Sequence, residues 1–440
     1  MTLRFGTDGV RGPAAEFDDA LVAALGAAAA RVLGPTATFV IGRDTRESGE
    51  RLERALAAGL RWAGADARSM GVVPTPAVAW VCASRGLPGA VISASHNPWS
   101  DNGIKFFAAG GTKLSDAVEE RLEAELDAVL AAGPPEVVAA SLTVDAGAVD
   151  GWCDAVVASC PVDVSSLRVV IDCANGAASD VAPRVLQSLG VEPIVLHASP
   201  DGRNINDGCG STHPGDLQRA VVEHGAAVGL AFDGDADRLL AIDENGVLVD
   251  GDQLLAMFAT ELRDRGALRD DRVVVTVMTN LGFRLRMAER GIEVIDTPVG
   301  DRYVLEALDR VGGSLGGEQS GHIVFADLAT TGDGVLSGVQ LLALVARAGR
   351  SLSQLAADSM TRLPQVLVNV DVDVRRADIA EAMTAEIAAA EASLGSSGRV
   401  LIRSSGTEPL VRVMVEAATT EQAEAIAADL AAAVRHACSA

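Results

Sequence analysis

Ser95 lies in the stretch Ile92-Ser-Ala-Ser-His-Asn-Pro-Trp-Ser-Asp-Asn-Gly-Ile-Lys-Phe-Phe107, after an apolar run and ahead of a lysine. A hydroxyl is a poor nucleophile until a base or a charged field activates it, and His96, Lys105 and the backbone N–H groups of the turn are candidate sources. Gly89-Ala-Val-Ile92 reads as a buried strand, whereas Asn97-Pro98 and Asn102-Gly103 are turn signals that predict irregular backbone and an exposed Ser95. Taken alone, the stretch reads more readily as an ordinary polar turn, and the other segments decide the matter.

A second stretch, Asp233-Gly-Asp-Ala-Asp-Arg238, follows the apolar run Val228–Phe232 and spaces three carboxylates at alternate positions. Hard oxygen ligands so spaced can wrap one side of a divalent cation and leave room for a phosphate oxygen, which favours Mg2+. Glu244 falls at the twelfth position from Asp233, as in an EF-hand loop, but Arg238 stands where that loop turns on glycine and Leu239–Ile242 looks like strand.

Arg403-Ser-Ser-Gly-Thr-Glu-Pro409 joins two apolar runs, with Arg412 close behind. An arginine, several hydroxyls and flexible backbone N–H groups make a cup for a phosphate dianion, and the spacing is not that of a nucleotide-binding loop. Gly316-Gly-Glu-Gln-Ser-Gly-His322 sets a carboxylate, an amide, a hydroxyl and an imidazole close together, groups able to bind sugar hydroxyls and transfer a proton. Arg11, Arg43 and Arg46 sit in Gly/Asp-rich loops, where they fit phosphoryl-charge stabilisation or structural pairing with aspartate.

The elements that must position these groups follow an α/β pattern. Apolar β-branched runs at 38–41, 169–171, 228–232 and 273–277 each lead into a polar loop and then a helical pattern, and ligands in such layers gather beyond the carboxyl ends of strands. At 440 residues the chain exceeds one hydrophobic core. Composition breaks near 133–152, 251 and 364 predict four domains, 1–150, 151–251, 252–364 and 365–440, the last a small α+β unit with helices over 378–394 and 420–437. Ser115 reads as an N-cap. A net charge of −24 opposes a nucleic-acid partner, and six scattered cysteines without a C-x-x-C pair fit reduced thiols in a cytoplasm. The amino terminus lacks a signal-peptide core and Ala20–Leu33 is too short to span a bilayer, so no membrane association is expected.

Phe5–Gly12, Ser93–Phe107, Asp233–Arg238, Gly316–His322 and Arg403–Pro409 together resemble the α-D-phosphohexomutase superfamily, over essentially the whole chain. Asn204-Ile-Asn-Asp-Gly-Cys-Gly-Ser-Thr-His213 and Thr297-Pro-Val-Gly-Asp-Arg-Tyr303 are similar to its branch acting on glucosamine phosphates. The resemblance implies three related α/β domains with mixed sheets around a central cleft, plus a small C-terminal α+β domain. It implies that Ser95 carries a phosphoryl group, that Asp233, Asp235 and Asp237 hold Mg2+ with it, that Arg238 contacts the substrate, and that Glu318 and Ser320 grip the sugar hydroxyls. By the same resemblance Arg403, Ser405, Gly406, Thr407 and Arg412 bind the non-reacting phosphate, while Arg11, Lys105 and His322 stabilise charge or move protons. The implied reaction interconverts glucosamine 6-phosphate and glucosamine 1-phosphate, a precursor of cell-wall amino sugars, with glucosamine 1,6-bisphosphate as the activating intermediate. A homodimer is implied as well.

Two positions depart from the branch: Ala236 replaces its usual Gly and Ser404 its frequent Pro. Ala disfavours positive φ, and losing Pro loosens a loop, but neither change removes a ligand. A glucose or mannose phosphate would suit the same relay, with 297–303 and 316–322 as the discriminating stretches and Gln319 favouring glucosamine. A phosphosugar-binding regulator without turnover is opposed by the intact Ser95, aspartates and Lys105.

Overall fold

The computed structural model describes residues 5–6, 9–133, 142–145, 147–372, 376, 378–404 and 410–438, with backbone alone at 5–6. The chain divides into two compact units, one of residues 1–277 and 292–357, the other of 278–291 and 358–440.

The larger unit holds three of the four sheets found among the described residues. In the first, Thr38–Arg43 runs parallel to both Asp66–Val72 and Gly89–Ile92, and Asp101–Phe107 returns antiparallel between Gly89–Ile92 and Gly9–Pro13. In the second, Val228–Phe232 lies between parallel Val169–Asp172 and antiparallel Leu239–Asp243. In the third, Arg272–Thr276 pairs in parallel with Glu293–Thr297 and Leu315–Gly317, and Ile323–Phe325 closes the edge antiparallel. The mixed sheets and α/β layering expected from the sequence are present, and Gly89–Ile92, Val228–Phe232 and Leu315–Gly317 each deliver a polar motif at the carboxyl end.

Asn102-Gly103 does not turn the chain; both residues lie within the strand Asp101–Phe107. Gly103 is there for closeness, since a Cβ would sit 2.7 Å from Ser93 O and 2.8 Å from Val10 O. Asn102 reaches sideways, its amide Nδ2 donating to Ser48 Oγ at 2.8 Å. Ser115 precedes the helix Asp116–Ala132 in extended conformation, but its side chain makes no capping bond.

The smaller unit pairs Leu410–Glu416 antiparallel with Gln365–Asp371 and Arg399–Ser404, backed by the helices Thr384–Leu394 and Thr420–Cys438. Its polar anchor is buried Glu416, which accepts from Arg399 Nε at 2.7 Å and from Leu281 N at 3.0 Å. These elements form the small α+β domain expected at the carboxyl end.

Helix Asp19–Leu33 opens on an Asp18 cap, whose Oδ1 accepts from Leu21 N at 2.7 Å, and buries its alanine-rich face against helix Gly49–Trp62. The two backbones nearly touch: a Cβ at Gly59 would lie 1.8 Å from Ala23 O, and one at Gly26 2.2 Å from Leu56 O. Overpacking of this kind costs about 1–3 kcal/mol. Gly59→Ala is therefore expected to lower the thermal midpoint by several degrees, whereas Gly86→Asn, at a helix end open to solvent, leaves it within about a degree. Equal midpoints in a thermal melt would show that the helices can part at no cost.

Candidate phosphoryl-transfer site

Ser95 is 2% exposed, contrary to the expectation of an open loop. Burial follows from a clamp built on Arg46. Its guanidinium donates to Ser95 O at 3.0 Å, Asn97 O and Asp101 O at 2.9 Å, and Pro98 O, while Nε pairs with Asp44 Oδ2 at 2.8 Å. Ser93 Oγ donates to the same Asp44 oxygen at 2.6 Å and accepts from Ser95 N at 2.9 Å. Asn206 adds a second bond to Ser95 O at 2.9 Å. Of the two roles open to Arg46 the structure selects pairing, as it does for Arg43, bound to Glu53 at 3.0 Å.

The clamped hydroxyl faces the metal loop. Ser95 Oγ donates to Asp233 Oδ2 at 2.5 Å, and His96 Nδ1 stands 3.4 Å from Oγ. One carboxylate oxygen from each of Asp233, Asp235 and Asp237 lies within 4.8 Å of the others, and all three residues are buried. Burial first, then Asp237 and Asp235, raises the Asp233 carboxyl well above the usual range; burial and then Asp235 raise Asp237. Thr75 Oγ1 donates to Asp235 Oδ2 at 2.7 Å, and Lys105 Nζ lies 3.0 Å from that oxygen and 3.8 Å from Asp237 Oδ2. Oδ1 of Asp237 accepts no hydrogen bond among the described residues, its Arg238 neighbour standing 3.8 Å away. A buried, underused oxygen in a triad of carboxylates fits a divalent cation. The EF-hand alternative fails here too, because Glu244 is spent on Ser353, accepting from Oγ at 2.5 Å and N at 3.1 Å.

The sugar-loop residues border the same site. Glu318 Oε1 accepts from Gly300 N at 3.1 Å, Ser320 is exposed, and Leu239 N donates to Gly321 O at 3.0 Å, tying this loop to the metal loop. His322 is 2% exposed, with Nε2 3.5 Å from Asp301 Oδ2, and Asp301 also pairs with Lys113. One His322 nitrogen, one Asp237 oxygen and one Asp301 oxygen fall within 4.8 Å. Arg11 lies near enough to His96 to help hold its imidazole neutral, after burial and Arg238, at a pKa of about 4.

In the smaller unit Arg403 and Arg412 stand directly opposite on paired strands. Burial and then Arg412 lower the Arg403 pKa, and its Nε is buried with no hydrogen-bond partner among the described residues. Like charges so placed call for an anion. Ser405, Gly406 and Thr407 lie outside the described residues.

Sequence reasoning reached Ser95, Lys105 and the aspartates but not Thr75 or Asp301, and it left Arg46 undecided. Asp44-x-Arg46 and Asn206 were visible as polar residues in loops; nothing in their spacing pointed across about 50 to 110 residues to Ser95.

Comparison with known proteins adds a second line. Phosphoglucomutase/phosphomannomutase α/β/α domain I matches residues 2–132, domain II 150–246, domain III 250–363 and the C-terminal domain 367–433. The phosphoglucosamine mutase of Frankia alni is 53% identical, covering 99% of this chain and 98% of its own; that of Thermobifida fusca is 52% identical with the same coverage. Among solved structures, a phosphoglucomutase/phosphomannomutase family protein of Burkholderia thailandensis superposes with a TM-score of 0.79 at 26% identity, covering 98% and 97% of the two chains. The N-acetylphosphoglucosamine mutase of Aspergillus fumigatus, solved with GlcNAc-6P and magnesium, shares the fold at a TM-score of 0.69 and 20% identity, covering 100% and 96%.

Two outcomes follow from the geometry. Arg46→Lys keeps the charge beside Asp44 but gives up the fork that holds four carbonyls, so turnover is expected to fall on the order of 100-fold, read in a steady-state assay beside a thermal melt. In metal-free protein the raised Asp233 and Asp237 groups keep protons that the unfolded chain has lost, so their contribution to stability declines as pH rises from about 4 through their folded values. Mg2+ at about 100 times its Kd adds about 2.7 kcal/mol where they are ionised. The Mg2+-induced rise in thermal midpoint should therefore grow from pH 4 toward neutrality and vanish in Asp235→Asn; a rise independent of pH would exclude the triad as the site.

Proposed function

The chain belongs to the phosphoglucomutase/phosphomannomutase family, and on that premise we propose that it interconverts glucosamine 6-phosphate and glucosamine 1-phosphate. It is an isomerase acting by intramolecular phosphotransfer. The observation that carries the chemistry is the Ser95 hydroxyl set 2.5 Å from Asp233, inside a triad of buried carboxylates. Full-length identity of 50–53% to phosphoglucosamine mutases carries the choice of sugar.

The resting form in this reading is phospho-Ser95. Its phosphoryl group passes to O1 of glucosamine 6-phosphate: the P–O bond to Ser95 breaks, a P–O bond to O1 forms, and the O1 proton passes to Ser95 Oγ. The product, glucosamine 1,6-bisphosphate, turns round; its P–O6 bond breaks as a P–O bond to Ser95 forms, the Ser95 proton passes to O6, and glucosamine 1-phosphate departs. Asp233, Asp235 and Asp237 would hold Mg2+, which supplies charge neutralisation to the phosphoryl oxygens. Magnesium and glucose 1,6-bisphosphate occur in structures of Aspergillus fumigatus N-acetylphosphoglucosamine mutase, which supports that assignment.

Lys105, fixed between Asp235 and Asp237, balances charge, and Arg11 and Arg238 do the same for the transferring group. His322, steadied by Asp301, is the residue we assign to proton movement at the sugar hydroxyl, and Glu318 with Ser320 to the sugar itself. Arg403 and Arg412, with Ser405, Gly406 and Thr407, are assigned the phosphate that does not react. Phosphoryl transfer leans on position and charge more than on acid–base groups, which accords with a site rich in clamps. A cytoplasmic location belongs to the same reading; all six cysteines are free thiols.

Ser95→Ala should lower turnover by on the order of 10^3-fold or more, with Mg2+ and catalytic hexose bisphosphate supplied. Wild-type protein should turn over glucosamine phosphate faster than glucose or mannose phosphate in the same assay. Near-normal turnover by the variant would remove Ser95 as the carrier, and faster mannose phosphate turnover would overturn the sugar.

A further inference from the structure

A second cluster of metal-binding types lies in the second sheet. Asp172 ends the strand Val169–Asp172, His197 follows the adjacent strand Ile194–Leu196, and Cys209 closes the excursion after it. A carboxylate oxygen, a ring nitrogen and the sulfur from these residues fall within 4.8 Å of one another. Asp172 and Cys209 are wholly buried.

The imidazole points to a ligand. Nδ1 of His197 is buried and lies 3.0 Å from Asp172 Oδ2, yet makes no hydrogen bond of good geometry among the described residues. Its other nitrogen, Nε2, lies 3.3 Å from Asp216 Oδ2. Each ring nitrogen thus has a carboxylate oxygen within 3.3 Å, so Asp216 can hold an N–H at Nε2 while Nδ1 is left to a cation shared with Asp172, the arrangement of histidines that bind metal. Asp172 has capacity to spare: Oδ1 accepts from Ala174 N and Oδ2 from Gly210 N, both at 2.9 Å, and a carboxylate offers about four lone-pair positions.

Cys209 completes the set: its buried sulfur lies within reach of the Asp172 carboxylate and the His197 ring and otherwise accepts a long contact from Asn175 Nδ2 at 3.9 Å. The neighbouring carboxylates attract a cation.

We propose that Asp172, His197 and Cys209 form a second cation site, for a borderline-soft divalent ion of the zinc class, with Asp216 as the outer partner of the imidazole. Carboxylate, imidazole and thiolate together suit zinc and leave a fourth position to water. Binding forms the metal–sulfur bond and releases the Cys209 proton to solvent. It also fastens the 197–209 excursion, whose Asn206 bonds Ala174 O through its backbone and Ser95 O through its side chain, both at 2.9 Å.

Cobalt(II) is the probe, added to metal-free full-length protein with Mg2+ in excess to fill the carboxylates beside Ser95. Wild-type protein should gain a thiolate-to-cobalt charge-transfer band that saturates at one equivalent and is quenched by Zn2+. Cys209→Ser should abolish the band, and Asp216→Asn should weaken cobalt binding about 10- to 100-fold. No band in the wild type, or a band that survives in Cys209→Ser, overturns the site. Should Cys209→Ser fail to fold, the wild-type titration decides alone, because a band absent or insensitive to Zn2+ rejects the proposal.

Discussion

Three carboxylates buried within reach of one another repel, and the catalytic unit is organised around containing that repulsion. Two unit charges about 4 Å apart cost about 4 kcal/mol at an effective dielectric constant of 20. Asp233, Asp235 and Asp237 meet that cost with one hydroxyl, one ammonium and one guanidinium near them, from Thr75, Lys105 and Arg238. Part is met by protons, as the raised Asp233 and Asp237 groups indicate. Three acidic residues facing one ammonium and one guanidinium leave an excess of negative charge, which fits a cation site better than a closed salt-bridge network. Ser95 joins this field by donating to Asp233, so the hydroxyl and the three carboxylates form one electrostatic unit.

Holding that unit together takes backbone strain. Ser95 has φ 50° and Ala236 φ 56°, conformations that cost non-glycine residues about 1–2 kcal/mol each. Both are over-determined by neighbours. Ser95 is gripped through its carbonyl by Arg46 and Asn206, while Ala236 is bracketed by its N–H to Asp233 O and its carbonyl to Gly334 N. Gly234 between them permits the contact itself, since a Cβ there would lie 2.5 Å from Ser95 O. The Ala at 236 thus accepts the conformation that Gly would adopt without strain, and the loop closes regardless.

Local chemistry was legible in the sequence because it is contiguous: the alternate aspartates, the sugar loop and the α/β rhythm each lie within a few residues. The accessibility of Ser95 was not, because burial arises from Arg46, Asn206 and Asp233, residues distant in the chain. Asn102-Gly103 misled for a related reason. The pair favours turns, but at 103 the glycine answers a steric demand from Ser93 and Val10 on neighbouring strands, and tertiary packing overrides the local preference. The roles of Arg43 and Arg46 were open from sequence, since an arginine beside an aspartate suits both pairing and phosphate binding. Only the partners decide it.

The smaller unit repeats the logic with the opposite sign. Arg403 and Arg412 face each other across a strand pair, and burial and then Arg412 lower the Arg403 pKa, as burial and like-charged neighbours raise that of Asp233. In both places like charges are kept close at a cost in stability, and a ligand of opposite charge relieves it. In the proposed function a phosphate supplies the anion for the arginines, and Mg2+ the cation for the aspartates. A guanidinium pair reads a dianion without regard to the carbon that bears it, so charge alone does not choose the sugar. Specificity for the sugar then rests with groups that read hydroxyls, Glu318 and Ser320 in the proposed assignment.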